Sequence, residues 1–451
     1  MRKIEKRAAV CLILAAALLL GSLVFAFRFV TSGSRWAAYL YTFSGQTPVG
    51  RVLDRDGDIL SYVNSDGKRV YYENPAVRRA VLHAVGDAQG KIGTGALTAF
   101  SDRLSGYNLF TGAYSPLGEG NDLYLTIDAH LNYVAHQAMA GRKGTVAVYN
   151  YETGEVLCMY SAPNYDPADS PEIRDGDEAY EGVYLNRFLQ STYPPGSVFK
   201  LVTLAAAIEN LPDWDTWTFT CTGSAPVGEE TVTCQKAHGE LTAKEALAVS
   251  CNGFFATLAA KLGPETLEKY ARQAGLTSQY SVSGLSTAAG SFGMEGATDG
   301  QTGWAGVGQY NDLVNPCGVM VYMGAIARGG AAAVPQLILK TESSLDFPLS
   351  FYLKKRTGTL IREDTARILT EFMANNVQTT YDAGRFPNME VCAKSGTAEV
   401  GGGKTPHAWF AGFLRGEDTP YAFVVVVENG GSGSEAAGSV AASVLNALVN
   451  E

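Results

Sequence analysis

Between Ala8 and Phe27 the chain runs for twenty positions without a charge. At about 1.5 Å per helical residue this reaches about 30 Å, the thickness of a bilayer's hydrocarbon core. Arg2, Lys3, Lys6 and Arg7 precede it against one acid, Glu5, so the positive-inside bias predicts a cytoplasmic N-terminus. The run exceeds the about 7–15 residues usual for a signal-peptide core and lacks a clean A-x-A-like site, which favours an uncleaved anchor. The expected arrangement is a cytoplasmic tail over 1–7, a single membrane segment over 8–28 and the rest of the chain outside the cytoplasm.

Beyond the anchor the pattern is mixed. Short extended pieces such as Arg51–Asp58 and helical ones around Pro75–Val85 predict a small, partly extended stem domain over 29–140. Asp56-Gly57-Asp58 reads as a turn between two strands; as a calcium loop it lacks the required glutamate. Leu123–Asp128 reads as a strand ending at a helix N-cap, with the helix over 132–140. Gly144–Tyr149 and Glu155–Ser161 are two apolar runs joined at Tyr151-Glu152-Thr153-Gly154, a hairpin signal. The acidic stretch Ala168–Gly182 reads as a solvated loop.

Helical patterns dominate from Ser197 to about Val334, including Ala243–Leu262 and Asn315–Arg328. Extended patterns return at Glu390–Thr397, Ala408–Leu414 and Tyr421–Glu428. A last helix, Ala436–Val449, carries Val440, Val444, Leu445 and Leu448 on one stripe. Strands at both ends of a region with helices between imply one sheet closed by distant segments. The expected class is α+β with a largely antiparallel sheet, in a large domain over 141–451.

Composition narrows the function. The 451 residues are 46% hydrophobic and 18% charged, which is globular, and the net charge of −10 argues against a nucleic-acid partner held through phosphates. The seven cysteines are Cys11, Cys158, Cys221, Cys234, Cys251, Cys317 and Cys392. Only Cys221 and Cys234 share one short polar stretch, where either a bridge or two free thiols fits a location outside the cell. The five histidines show no H-E-x-x-H or C-x-x-C companion, so neither a metal nor a cofactor is expected.

The chemistry centres on Tyr193-Pro194-Pro195-Gly196-Ser197-Val198-Phe199-Lys200, which opens an apolar run through Ile208. Ser197 and Lys200 share one helical face. A serine beside a lysine in a dry place is a nucleophile beside its base, although the same spacing alone fits a capping serine and a snorkelling lysine. Ser250-Cys251-Asn252 follows 53 residues after Ser197, and Lys394-Ser395-Gly396-Thr397 follows 144 after Ser250. Singly these fit a helix-ending turn and a strand end. Together, in order, they resemble the S-x-x-K, S-D-N and K-T-G signature of class A β-lactamases and penicillin-binding proteins.

Further stretches resemble class B, monofunctional, penicillin-binding proteins: Gly50–Gly57, Gly144–Pro167, Asn186–Lys200, Gly308-Gln309, Ala327–Gly330 and Ala408–Phe413. The chain departs from that family at Cys251, at Tyr310 and in its short stem. The resemblance implies an antiparallel five-stranded sheet with helices on both sides. It also implies Ser197 as nucleophile, Lys200 as base, Ser250 as proton relay and Asn252 as holder of the substrate amide. Lys394 would supply positive field, Ser395 and Thr397 would bind the donor's terminal carboxylate, and the backbone N–H groups of Ser197 and Thr397 would form the oxyanion hole. Gly396 would let substrate approach the backbone.

The leading expectation is a peptidoglycan transpeptidase that attacks D-Ala-D-Ala stem peptides and binds β-lactams covalently, partnered by resemblance with a SEDS-type glycosyltransferase. The alternatives are a D,D-carboxypeptidase or β-lactamase, in which water replaces the acceptor amine, and a non-catalytic β-lactam sensor or scaffold. No deacylating carboxylate motif supports the hydrolases, and no motif residue is lost as an inactive scaffold would lose it.

Overall fold

Five segments from the two ends of the large domain make its sheet. In the computed structural model, which describes residues 2–42, 49–107, 120–343, 345, 347–350 and 354–450, the strands Val391–Ala398, His407–Leu414, Tyr421–Val427, Gly144–Asn150 and Val156–Ala162 lie side by side in that order. Each is antiparallel to its neighbour. Successive side chains point to opposite faces of a strand, and here both faces are covered. Ala147, Tyr149, Trp409, Ala411, Phe413, Val424 and Val426 enter one core, which they share with Lys200–Asn210, Pro316–Ala327 and Glu363–Thr379. Val146, Val148, Phe410, Phe423 and Val425 enter the other, beneath Ala129–Met139 and Gly438–Asn450. Burial on both faces explains the unbroken apolar run in Tyr421–Val427 where a half-exposed strand would alternate. Each such side chain contributes about 1.5–3 kcal/mol relative to exposure. The expected α+β class, the antiparallel five-stranded sheet and the hairpin at residues 151–154 are all present.

A second five-stranded sheet forms the stem, in the order Ile338–Ser343, Asn121–Leu125, Val52–Leu53, Ile59–Val63 and Arg69–Tyr71. The turn at Asp56–Asp58 connects two of these strands, and Asp54 Oδ1 ties it by accepting from the Asp56 and Asp58 N–H groups at 3.0 and 2.9 Å. Its edge strand Ile338–Ser343 comes from deep within the large domain. The helix Ala129–Met139, assigned by sequence to the stem, instead packs on the large sheet through Leu131, Ala135 and Met139. A boundary at residue 140 therefore does not follow the packing: the apolar stripe of that helix shows that it needs cover, not which sheet supplies it.

Two helices differ from their sequence outlines. The N-terminal helix runs from Arg2 to Thr42, past residue 28, since no proline stops it. Its stretch Lys6–Thr31 is the one segment among the described residues that is long and apolar enough to cross a membrane. The helix expected over Ala243–Leu262 is broken into Ala243–Ala248 and Asn252–Leu262, because Ser250 takes a left-handed conformation with φ 57°. Between the long helices, residues 219–241 form a β excursion rather than helix: Phe219–Cys221 pairs with Gly239–Leu241, and Ser224–Val227 with Glu230–Thr233. Strands of three or four residues carry too few alternations to stand out by period.

Candidate active site

The serine turn is built by close contacts that only glycine permits. Gly196 has φ 52°, and a Cβ there would lie 2.7 Å from the Thr397 carbonyl oxygen. Its N–H donates to Gly308 O at 3.0 Å. The preceding prolines are fixed from the sheet: Trp409 Nε1 donates to Pro194 O at 3.0 Å. Tyr193 Oη and Arg187 Nε both donate to Glu428 Oε1, at 2.8 and 2.7 Å. Gly196–Phe199 then forms one 3-10 turn before the α-helix Lys200–Asn210 begins. With three residues per turn, positions i and i+3 eclipse, so Ser197 and Lys200 align more closely than in an α-helix.

Lys200 is wholly buried. Its Nζ donates to Ser250 O at 2.7 Å, Ser250 Oγ at 3.1 Å and Asn252 Oδ1 at 2.7 Å. Lys394, equally buried, donates to the same Ser250 Oγ at 3.0 Å and to its neighbour's carbonyl, Ser395 O, at 2.9 Å. The left-handed kink at Ser250 sets its hydroxyl between the two amines. Burial, and after it the Lys394 charge, push the Lys200 amine well below the ordinary lysine range. Burial alone lowers Lys394 to about 7.

These groups open onto a cleft of about 590 Å³ lined by Ser197, Ser250, Asn252, Tyr381, Ser395 and Thr397 among others. Ser395 and Thr397 are half-buried at its wall, whereas Gly396 faces away. A Cβ at Gly396 would meet Pro195 O and Val198 Cγ2, each at 3.1 Å. The glycine thus admits the serine turn to the strand rather than the substrate, correcting the sequence expectation. Ser197, Lys200, Ser250, Asn252, Lys394, Ser395 and Thr397 are brought to one place, and the two segments expected to donate the oxyanion-hole N–H groups touch where Gly196 meets Thr397.

Sequence reasoning missed Tyr381. Its hydroxyl accepts from Ser395 N, Ser395 Oγ and Lys394 Nζ at 3.2, 3.0 and 3.3 Å, and so holds the lysine and the serine of the third motif together. As one of 23 tyrosines in no motif, it carries no linear signal. Nor are Cys221 and Cys234 joined: both are free thiols. Cys234 Sγ instead lies 3.8 Å from Cys251 Sγ, and Cys221 Sγ lies 3.4 Å from His238 Nδ1.

A buried lysine makes stability depend on pH. The unfolded Lys394 takes up its proton near 10.5 and the folded one near 7. Below pH 10.5 the unfolded chain therefore gains a proton that the fold excludes, and folded stability falls as pH drops toward 7, by up to about 1.4 kcal/mol per pH unit. Lys394→Met removes this slope. Its melting temperature relative to the unsubstituted chain should be highest near pH 7 and decline toward pH 10; parallel curves would refute the buried, depressed lysine.

Residues 144–450 match the penicillin-binding protein transpeptidase domain family. The peptidoglycan D,D-transpeptidase PbpA of Mycolicibacterium smegmatis is 28% identical over 428 residues, covering 86% of this chain and 85% of the relative. PbpA of Mycobacterium tuberculosis H37Rv is 28% identical over 436 residues, covering 88% and 87%. The solved structure of penicillin-binding protein A from M. tuberculosis, a ceftriaxone acyl-enzyme complex, superposes with a TM-score of 0.80 at 24% identity, covering 91% of this chain and all of that one. The fold, the three motifs gathered on one cleft and a family match over most of its length agree: this chain belongs to the penicillin-binding protein transpeptidases, as a class B member.

Proposed function

We propose that the chain crosslinks peptidoglycan by acyl transfer, with Ser197 as the nucleophile. Ser197 Oγ attacks the carbonyl carbon of the penultimate D-Ala of a stem peptide and gives its proton to neutral Lys200. The N–H groups of Ser197 and Thr397 stabilise the oxyanion. The proton then passes through Ser250 to the leaving D-Ala nitrogen, the peptide bond breaks, and the donor remains as an ester on Ser197. An acceptor amine attacks that ester, loses a proton to the same base, and restores the serine hydroxyl. β-Lactams enter by the first half of this sequence and stop at the ester.

The observation that carries this reading is the bonded chain Lys394–Ser250–Lys200 beside Ser197. With Lys200 neutral, its two shortest bonds, to Ser250 O and Asn252 Oδ1, use both hydrogens. Its lone pair is then left for the Ser197 proton, and Ser250 Oγ, 3.1 Å from Lys200 Nζ and 3.0 Å from Lys394 Nζ, is the next group to which that proton can pass. Ser395 and Thr397 line the cleft and would donate to the donor peptide's carboxylate, Ser395 by turning its hydroxyl away from Tyr381, in the field of Lys394.

The N-terminal apolar helix anchors the chain in the cytoplasmic membrane once, with residues 1–7 cytoplasmic and the sheet domain outside, a reading supported by the positive-inside bias of Arg2, Lys3, Lys6 and Arg7. Along the chain, the stem then precedes the transpeptidase domain, which by its packing takes in the helix Ala129–Met139. A SEDS-type glycosyltransferase, which makes the glycan strands, is the partner met by the membrane helix and stem. The test supplies the full-length chain in detergent with uncrosslinked glycan strands, and reads released D-Ala and crosslinked dimers by mass spectrometry. Both should appear in equal amounts. Release of D-Ala with no crosslink would make the protein a hydrolase, and release of none would end the proposal.

A further inference from the structure

We propose that Cys221, Cys234, His238 and Cys251 form a tetrahedral metal site of the zinc class, which fastens the β excursion over residues 219–241 to the Ser250-Cys251-Asn252 turn. The four come from separate places. Cys221 ends one short strand, Cys234 follows another, His238 precedes a third and Cys251 caps the helix Asn252–Leu262. Yet their ligating atoms all lie within 4.8 Å of one another.

The spacing suits the ion. Zinc–sulfur bonds of about 2.3 Å and zinc–nitrogen bonds of about 2.0–2.1 Å at tetrahedral angles put neighbouring sulfurs about 3.8 Å apart and sulfur about 3.6 Å from nitrogen. The observed Cys234–Cys251 and Cys221–His238 separations are 3.8 and 3.4 Å. Two edges of the tetrahedron therefore already exist, and closing the rest needs shifts of about 1 Å or less given that geometry. Three thiolates with one imidazole select zinc over magnesium or calcium, which prefer oxygen.

The surroundings favour thiolates. Gly253 N donates to Cys234 Sγ at 3.2 Å and Phe254 N to Cys251 Sγ at 3.5 Å, so the open N–H groups at a helix start converge on the sulfurs. His238 N donates to Cys221 O at 3.1 Å, and Cys234 N to Gly223 O at 2.9 Å, fixing the backbone that carries the ligands. On binding, the three thiols release three protons to solvent and the cluster keeps a net charge of −1.

The excursion has reason to need such a fastening. Its strands are three or four residues long, and it buries few apolar side chains of its own: Cys221, Ala225, Val227, Val232 and Leu241. Its end is also tied to the reaction. Asn252 Nδ2 donates to Thr233 O at 2.9 Å, one residue before Cys234, while Ser250 and Asn252 on either side of Cys251 hold Lys200. Cys234 and His238 line the same cleft as Ser197. The metal thus positions the turn that presents the proton relay.

The test uses the full-length chain purified in detergent without chelator. Elemental analysis should find about one zinc per chain, and cobalt exchange should give the thiolate charge-transfer bands of a tetrahedral site. Cys234→Ser and His238→Ala should reduce the metal to under about a tenth, while Cys392→Ser, in the core and outside the cluster, should retain it. Should the ligand variants fail to fold, the unsubstituted chain still decides. Failure to bind zinc or cobalt, or a Cys234–Cys251 disulfide in its peptide map, would overturn the site. Removing the metal should also slow β-lactam acylation about tenfold, as loss of supporting contacts does in other sites. Only that last arm rests on Ser197 being the nucleophile, so a metal-loaded chain that never acylates would reject the function and keep the site.

Discussion

Ser197→Ala should abolish the covalent adduct with a fluorescent penicillin, reducing acylation by at least about 10³-fold, since loss of a serine nucleophile in a comparable hydrolase costs about 10⁶ in turnover. The removed atom is a single oxygen at a half-buried position, and no hydrogen bond of the fold depends on it among the described residues. Stability should therefore change by no more than about 0.5 kcal/mol. Gly196, whose contacts with Thr397 and Gly308 shape the turn, is untouched, so a loss of adduct can be assigned to chemistry. An adduct that persisted in the variant at the normal rate would remove Ser197 from the mechanism altogether. The same variant in a cell depleted of the native copy separates catalysis from a scaffold role, because a sensor or scaffold would still support growth.

Lys200→Met should slow acylation by about 10²–10⁴-fold, the range of a positioned general base. Methionine fills most of the volume but leaves Ser250 O and Asn252 Oδ1 without their lysine donor, at about 1–3 kcal/mol for each group left dry, while Ser250 Oγ keeps its bond from Lys394. The lost cost of burying an amine offsets part of this. The pH profile separates the chemical role from the structural one. The base works only when neutral, above its lowered pKa, whereas Lys394 supplies field only when charged, below about 7. The native chain should give a bell whose limbs belong to the coupled pair, and Lys200→Met should lose the acidic limb. A native profile flat from mildly acidic to mildly alkaline pH would exclude Lys200 as the free base.

The parts of this protein that were legible in its sequence are those with short-range periods or fixed spacing. Strands such as Gly144–Asn150 and Tyr421–Val427 are marked by apolar runs bounded by turns, and the membrane helix by its length without charge. The three motifs are each read within four residues. What failed were features that need a partner far along the chain. The helix Ala129–Met139 shows a stripe but not which sheet it covers, and Gly396 shows only that something comes close. Tyr381 shows nothing, and the sulfur–imidazole cluster has spacings of 13, 4 and 13 residues that match no local ligand pattern.

The sequence alone thus determined which chemistry is available: a serine, two lysines and a relay hydroxyl in a known order, outside a membrane anchor. Tertiary structure decided whether that chemistry can run. An amine's proton affinity depends on the water it has lost and the charges around it, and those depend on folding. The Lys200 amine loses proton affinity because it is buried and because Lys394, 194 positions away, adds a second positive charge nearby.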